Sequence, residues 1–238
     1  MRRSIIAAIV AACLALCSAL TSTAMASPPG ITPITASMAA CGGHTTTRHI
    51  QCGAAFTDAW LRHRHHAGLV AATVVTGPGT VGVWHSGTTG GICGYSTVKP
   101  LRFGMHHCDG TTFVVPSLDG PVLASDDTAI VAMTHESAHA VQERAGFDPV
   151  AVTLAQDAAG MFPLEQSADC WAGMAVRWFI TRGMRPLSTL ANARKLMALI
   201  GSRDSGHGTS IQRVAAFDAG YRDGASSCDR LLGRRIFD

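Results

Sequence analysis

The sequence predicts a disulfide-stapled α+β domain in which a small sheet packs on a mainly helical half. Three observations carry that expectation. Stretches at 80–84 and 111–115 alternate at period two, as short strands do. From Asp126 onward the apolar residues recur at helical spacing instead. Six cysteines, an even number, are spread over positions 41–228. Strands followed by helices favour segregated layers over an alternating parallel sheet.

Taken in order, residues 1–26 read as a signal peptide. Arg2 and Arg3 precede an apolar run, and Ala24-Met25-Ala26 before Ser27 has the small-residue pattern of a cleavage site. Ser18, Thr21, Ser22 and Thr23 interrupt the run before it reaches the ~20 residues a membrane span needs. A secreted or cell-envelope protein without a membrane span is therefore expected. Val10-Ala11-Ala12-Cys13 is similar to a lipoprotein box, which makes a lipid anchor at Cys13 the minor alternative. Residues 27–40 carry three prolines and a glycine and are expected as a flexible lead-in, with 41–238 forming a single domain.

A first helix is predicted over 54–66 from Ala55, Phe56, Ala59 and Trp60, ending near Gly68. The two strands follow, with a Gly-rich stretch at 87–94 between them. Asp126 or Asp127 caps the next helix, which carries Ile130, Val131, Thr134, Ala138 and Val141 and stops at Gly146. Further helices are predicted over 164–182, closed by Gly183, over 187–200 and over 209–224.

Hydrophobic residues at 47% and charged residues at 15% exclude intrinsic disorder. Loss of residues 1–26 removes two arginines and no acid, so the net charge falls from +3 to +1. Nucleic acid as a partner is excluded on that balance, because its recognition needs clustered Lys and Arg in excess. Six cysteines allow 15 pairings in principle. Spacing favours Cys41–Cys52 and Cys93–Cys108 as local loops, which leaves Cys170–Cys228 as the long-range link. A zinc site built from Cys41, His44, His49 and Cys52 competes with the first pair. The histidine clusters at 63–66 and 106–107 lack acidic or cysteine partners and read as solvated faces.

His135-Glu136-Ser137-Ala138-His139 falls in the middle of the helix that starts near Asp126. Positions four apart on a helix share a face, so both imidazoles can reach one metal ion, and Glu136 stands beside it as a general base. A chain of this composition produces the pattern by chance about 0.006 times. Glycine at 142 and histidine at 145 would mark a metzincin; Gln142 and Ala145 exclude that branch. Catalytic zinc takes three protein ligands, and Glu165 opens the next predicted helix with Asp169 one turn beyond. Glu165 is the candidate third ligand. Asp169 is the candidate residue that orients a ligand imidazole through its far nitrogen.

These residues resemble a family, the neutral zinc metallopeptidases of bacteria. The likeness covers His135 to Gln142, the block Glu165-Gln166-Ser167-Ala168-Asp169-Cys170-Trp171-Ala172-Gly173, and the block His207-Gly208-Thr209-Ser210-Ile211-Gln212-Arg213. A looser likeness runs from Cys93 to Cys108, so the resemblance spans residues 91–229. Ser137 and Ala138 replace the Val-Gly usual at those positions, and residues 27–90 show no match. The resemblance implies a zincin-like fold, one Zn2+ per chain on His135, His139 and Glu165, and hydrolysis of a peptide or protein substrate.

The activity expected is metal-assisted amide hydrolysis in which Glu136 takes a proton from a zinc-bound water. The strand around 113–115 is expected to hold an extended peptide as an added strand. His207, just before the last predicted helix, is a candidate donor to the developing oxyanion, with a purely structural place in a Gly-rich turn as its alternative. Two other readings share the motif: a catalytically inactive exported binding domain, and a zinc amidase acting on cell-wall peptides.

Overall fold

The computed structural model describes residues 31–68, 71–75, 84–85, 92–93, 104–108, 110–201 and 206–238. Residues 1–26, with the cleavage pattern and Cys13, lie outside the described residues, as do 80–83 of the first expected strand. The architecture is mixed and mostly helical, with small sheets and disulfides, as expected.

Strand β1 (Ile31–Pro33) and a 3-10 turn (Met38–Ala40) occupy the segment read above as a flexible lead-in. That expectation is corrected: β1 pairs antiparallel with β2 (Ala71–Val75), from Ile31 against Val75 to Pro33 against Thr73. Pro33 lacks the N–H an inner strand needs, but β1 stands at the sheet's edge, where a proline is tolerated. Helix α1 (Thr46–His63) follows the turn, and its start lies eight residues before the expected one. The Thr45 hydroxyl caps it at Arg48 N. Gly53, which reads as a breaker, is instead a point of close approach: a Cβ there would lie 2.8 Å from Met133 Sδ and 3.0 Å from the Ala129 carbonyl.

Strands β3 (Trp84–His85) and β4 (Ile92–Cys93) form a separate antiparallel pair. β5 (His106–Cys108) pairs antiparallel with β6 (Thr111–Val114), which runs parallel to β2. The four-stranded sheet therefore has the order β1-β2-β6-β5. Helix α2 (Asp126–Arg144) lies against it, with Ile50 and Ala54 of α1 and Ala129 and Met133 of α2 closing over Val114. The cap of α2 is Ser125, in a reciprocal box with Thr128, and neither aspartate. Those two carboxylates are buried and take other partners. Asp126 accepts Gly42 N, while Asp127 gathers Arg185, Thr189 and Asn192.

After α2 comes α3 (Pro149–Leu154), absent from the sequence-based expectations because six residues leave little period to detect. Asp148 caps it and Pro149 holds its first position, where a missing N–H costs nothing. α4 (Ala158–Thr181) begins six residues before its expected start, capped by Asp157, with Pro163 inside its second turn. α5 (Ser188–Ile200) matches its prediction within a residue. The last expected helix is α6 (Ser210–Asp223), within a residue at each end; Gly224, at φ 76°, stops it, and a further helix that the sequence reading lacked, α7 (Ala225–Leu232), follows. No described helix is long and apolar enough to cross a membrane.

Two expected disulfides are present, Cys41–Cys52 and Cys170–Cys228. Cys108 is also disulfide-bonded; the side chain of Cys93, its expected partner, lies outside the described residues. A closed loop of 58 residues makes Cys170–Cys228 worth about 4 kcal/mol in the chain-entropy account. It joins α4 to α7, and between them α4 and α6 touch backbone to backbone. A Cβ on Gly173 would lie 2.0 Å from the Phe217 carbonyl, and one on Gly220 1.8 Å from the Cys170 carbonyl. Gly220→Ala should therefore lower stability by about 3 kcal/mol, at the upper end of overpacking costs. A urea midpoint unchanged from that of the unsubstituted chain would refute this close crossing.

Candidate metal centre

Helix α2 presents His135 and His139 on one face, with ring centroids 5.1 Å apart. Glu165 enters from α4, its Oε2 lying 3.2 Å from His135 Nε2 and its Oε1 3.4 Å from His139 Nε2. The candidate ligand atoms of the three residues lie within 4.8 Å of one another, and all three residues are buried.

Acceptors on the far side of each ring set which nitrogen faces the cleft. Gln142 Nε2 donates to the Leu164 carbonyl and to Ser167 Oγ, which leaves Gln142 Oε1 as acceptor for His139 Nδ1 at 2.8 Å. His139 Nδ1 must then carry the proton. His135 Nδ1 lies 2.9 Å from Asp169 Oδ1, a carboxylate that can only accept. Both Nε2 atoms therefore face the carboxylate of Glu165, whose Oε2 is buried. Three converging groups that can each turn a lone pair on one cation fit a metal ion, and this donor set, backed by orienting acceptors, suits Zn2+.

The electrostatics agree. Burial alone would depress the His135 imidazolium, yet Asp169 and Glu165 outweigh it and raise its pKa to about 10. For His139, burial again works downward and Glu165 reverses it. Burial would raise the Glu165 carboxyl, but the two imidazoles hold it well below the usual range. The pocket favours positive charge. Glu136 behaves differently: burial, opposed only in part by the two histidines, pushes its carboxyl up to about 7. A base poised there accepts a proton readily near neutrality.

A cleft of about 430 Å³ opens over these groups, lined among others by Glu136, His207, Met105, Val122 and Ile200. His207 is half-exposed, with Nε2 3.6 Å from Glu165 Oε1, and its carbonyl accepts Gln166 Nε2. Burial, opposed by Glu165 and helped by Arg213, His135 and His139, depresses its imidazolium. The structure brings together all six candidates on and around α2 and α4: His135, Glu136, His139, Glu165, Asp169 and His207.

Several expectations need correction. β6 lies between β2 and β5, so 113–114 cannot take an added strand; among the described strands β5 is the edge next to the cleft. Zinc at Cys41, His44, His49 and Cys52 is excluded, because the disulfide consumes both thiols and His49 faces the carbonyls of Leu123 and Gly43. The pair at 106–107 is no solvated face. His107 is buried with Nε2 3.2 Å from Glu143 Oε2, and His106 stacks on Phe113. Ser137, a departure from the family pattern, accepts Trp171 Nε1 and donates to the Thr134 carbonyl, joining α2 to α4.

Two residues of the site escaped the sequence reading. Asp119 lines the cleft and takes the backbone N–H groups of Met105 and Val115, each at 2.7 Å; burial pushes its carboxyl up to about 6. An aspartate three residues past Pro116, in the turn after a strand, was the available signal. Arg213 is the other, and its place in a recognised block marked it without indicating a role.

No family model matches this chain, and neither the curated proteins nor the solved structures yield a match. The likeness to the bacterial zinc metallopeptidases rests on the residue blocks themselves.

The raised Glu136 carboxyl predicts a pH signature in the metal-free chain. Below about 4.5 both folded and unfolded states hold the proton, and Glu136 costs nothing. As pH climbs towards 7 the unfolded chain releases it first, so stability falls by about 3 kcal/mol and then levels off. Urea midpoints at pH 5 and pH 8 should differ less in Glu136→Gln than in the unsubstituted chain. An equal difference in both would remove Glu136 as the source.

Proposed function

We propose that this protein is an exported zinc-dependent metallopeptidase, a hydrolase of peptide bonds on a zincin-like fold. The observation that carries the reading is the convergence of two imidazole nitrogens and a buried carboxylate beside a glutamate whose carboxyl is pushed up to about 7. Zinc bound there would supply Lewis acidity to the scissile carbonyl and to the attacking water.

The chain's own groups do the rest. His135, His139 and Glu165 would hold the ion, with Asp169 and Gln142 fixing the two rings. Glu136 takes the proton of the attacking water and returns it to the leaving amine nitrogen. His207 donates a hydrogen bond where negative charge develops on the carbonyl oxygen. The apolar side chains of Met105, Val122 and Ile200 line the cleft and would exclude water beside an extended peptide.

Purified mature protein should contain one zinc per chain and cleave a denatured protein, and a chelator should abolish the cleavage. Bound zinc without any hydrolysis would favour an inactive binding domain. Turnover of peptidoglycan fragments but not of casein would favour an amidase. Glu136→Gln should lower kcat by at least about 100-fold while keeping its zinc; near-normal activity would overturn the assignment of the base. His207→Ala should lower kcat with zinc content and Tm unchanged. A parallel loss of Tm would make its role structural.

A further inference from the structure

Arg213 is 3% exposed, an unusual state for an arginine, and it sits at the floor of the cleft. Its Nη2 donates to Asp169 Oδ1 at 2.7 Å. That same oxygen lies 2.9 Å from His135 Nδ1. The guanidinium stays 3.9 Å from Glu165 Oε2, beyond hydrogen-bond reach. It therefore grips the carboxylate behind the histidine and leaves the carboxylate in front of it uncommitted.

Stability does not account for such an arrangement, since a buried ion pair can often be replaced by apolar side chains at no loss. Its place in the fold does. Arg213, Phe217 and Gly220 stand at i, i+4 and i+7, one face of α6. Further along that face, the Phe217 carbonyl and Gly220 are the groups that meet α4 at Gly173 and Cys170. At the start of α6, Thr209 and Gln212 form a reciprocal cap, and Ser210 Oγ donates to the Ala198 carbonyl of α5. Arg213 is delivered to Asp169 by a helix held at both ends.

We propose that Arg213 is the positioning residue of the metal centre: by holding Asp169 it fixes the His135 ring, and so makes metal affinity depend on how α6 is seated on α4. This rests on the metal-centre reading above. The two blocks at 165–173 and 207–213 are then halves of one device, one bearing the ligand and its orienting carboxylate, the other the cation that locks them.

Zinc affinity, measured by competition with a chromogenic chelator, and the visible spectrum of the cobalt-substituted protein test this without reference to activity. Arg213→Met should weaken zinc binding by about 10- to 100-fold, the usual range for outer-shell partners of a metal ligand. Its cobalt spectrum should be altered. Arg213→Lys, which keeps the charge, should recover part of the affinity.

Because the route runs through Asp169, Asp169→Asn combined with Arg213→Met should bind zinc no more weakly than Asp169→Asn alone. The double variant also removes both buried charges, so it serves if Arg213→Met does not fold. Arg185→Met, which breaks a part-buried ion pair at the start of α2, should lower Tm and leave zinc affinity unchanged. Unchanged affinity in Arg213→Met, or additive losses in the double variant, would overturn the role of Arg213 alone. An unsubstituted chain that takes up no metal would overturn it together with the metal-centre reading.

Discussion

One carboxylate oxygen, Asp169 Oδ1, joins the parts of this structure that matter most. It lies within hydrogen-bond distance of His135 Nδ1 on α2 and accepts Arg213 Nη2 from α6, while its own residue belongs to α4 and is fully buried. Three helices distant in sequence thus meet at one atom. A buried carboxylate is costly unless it is paired, and Asp169 meets both His135 and Arg213 through this one oxygen, Oδ2 making no hydrogen bond. The need to satisfy Asp169 therefore constrains how α2, α4 and α6 may pack.

The packing around that atom is built to be unyielding. Cys170, the next residue, is linked to Cys228 on α7, and its carbonyl lies against Gly220. Trp171, two residues on, donates to Ser137 within the histidine motif and packs against Trp60 and Phe237. Asp169, Cys170 and Trp171 are consecutive, so they point in three directions around α4: to the metal helix, to the C-terminal helices, and to the aromatic core. Rotation of α4 about its axis would strain all three together. That rigidity is what a site needs if its ligands are to stand ready for an ion rather than collapse onto one another.

The site was far more legible in the sequence than the scaffold. His135, Glu136 and His139 follow from helical geometry alone, since i and i+4 share a face whatever surrounds the helix. Glu165 and Asp169 were legible for the same reason, one turn apart on a strongly periodic stretch. Helix ends were less so. Gly53 looks like a breaker until Ala129 is seen pressed against it, and Ser125 was overlooked beside two aspartates that a cap preference favours equally. β1 was missed because its three residues carry a proline and gain their order only from β2, more than thirty residues on. Arg213 shows the same limit from the other side: its chemistry was visible, but its partner is a tertiary fact.

Glutamate usage ties these levels together. The chain has three glutamates; two line the cleft and the third meets a residue that does. Glu136 faces it from α2 as the candidate base, and Glu165 closes it from α4 as the candidate ligand. Glu143, two turns beyond Glu136 on α2, meets the buried His107 of β5 and so draws the edge strand against the metal helix. His107 and His106 themselves line the cleft. A cluster that reads as solvated when taken alone is thus drawn into the fold by Glu143, across the gap between α2 and β5.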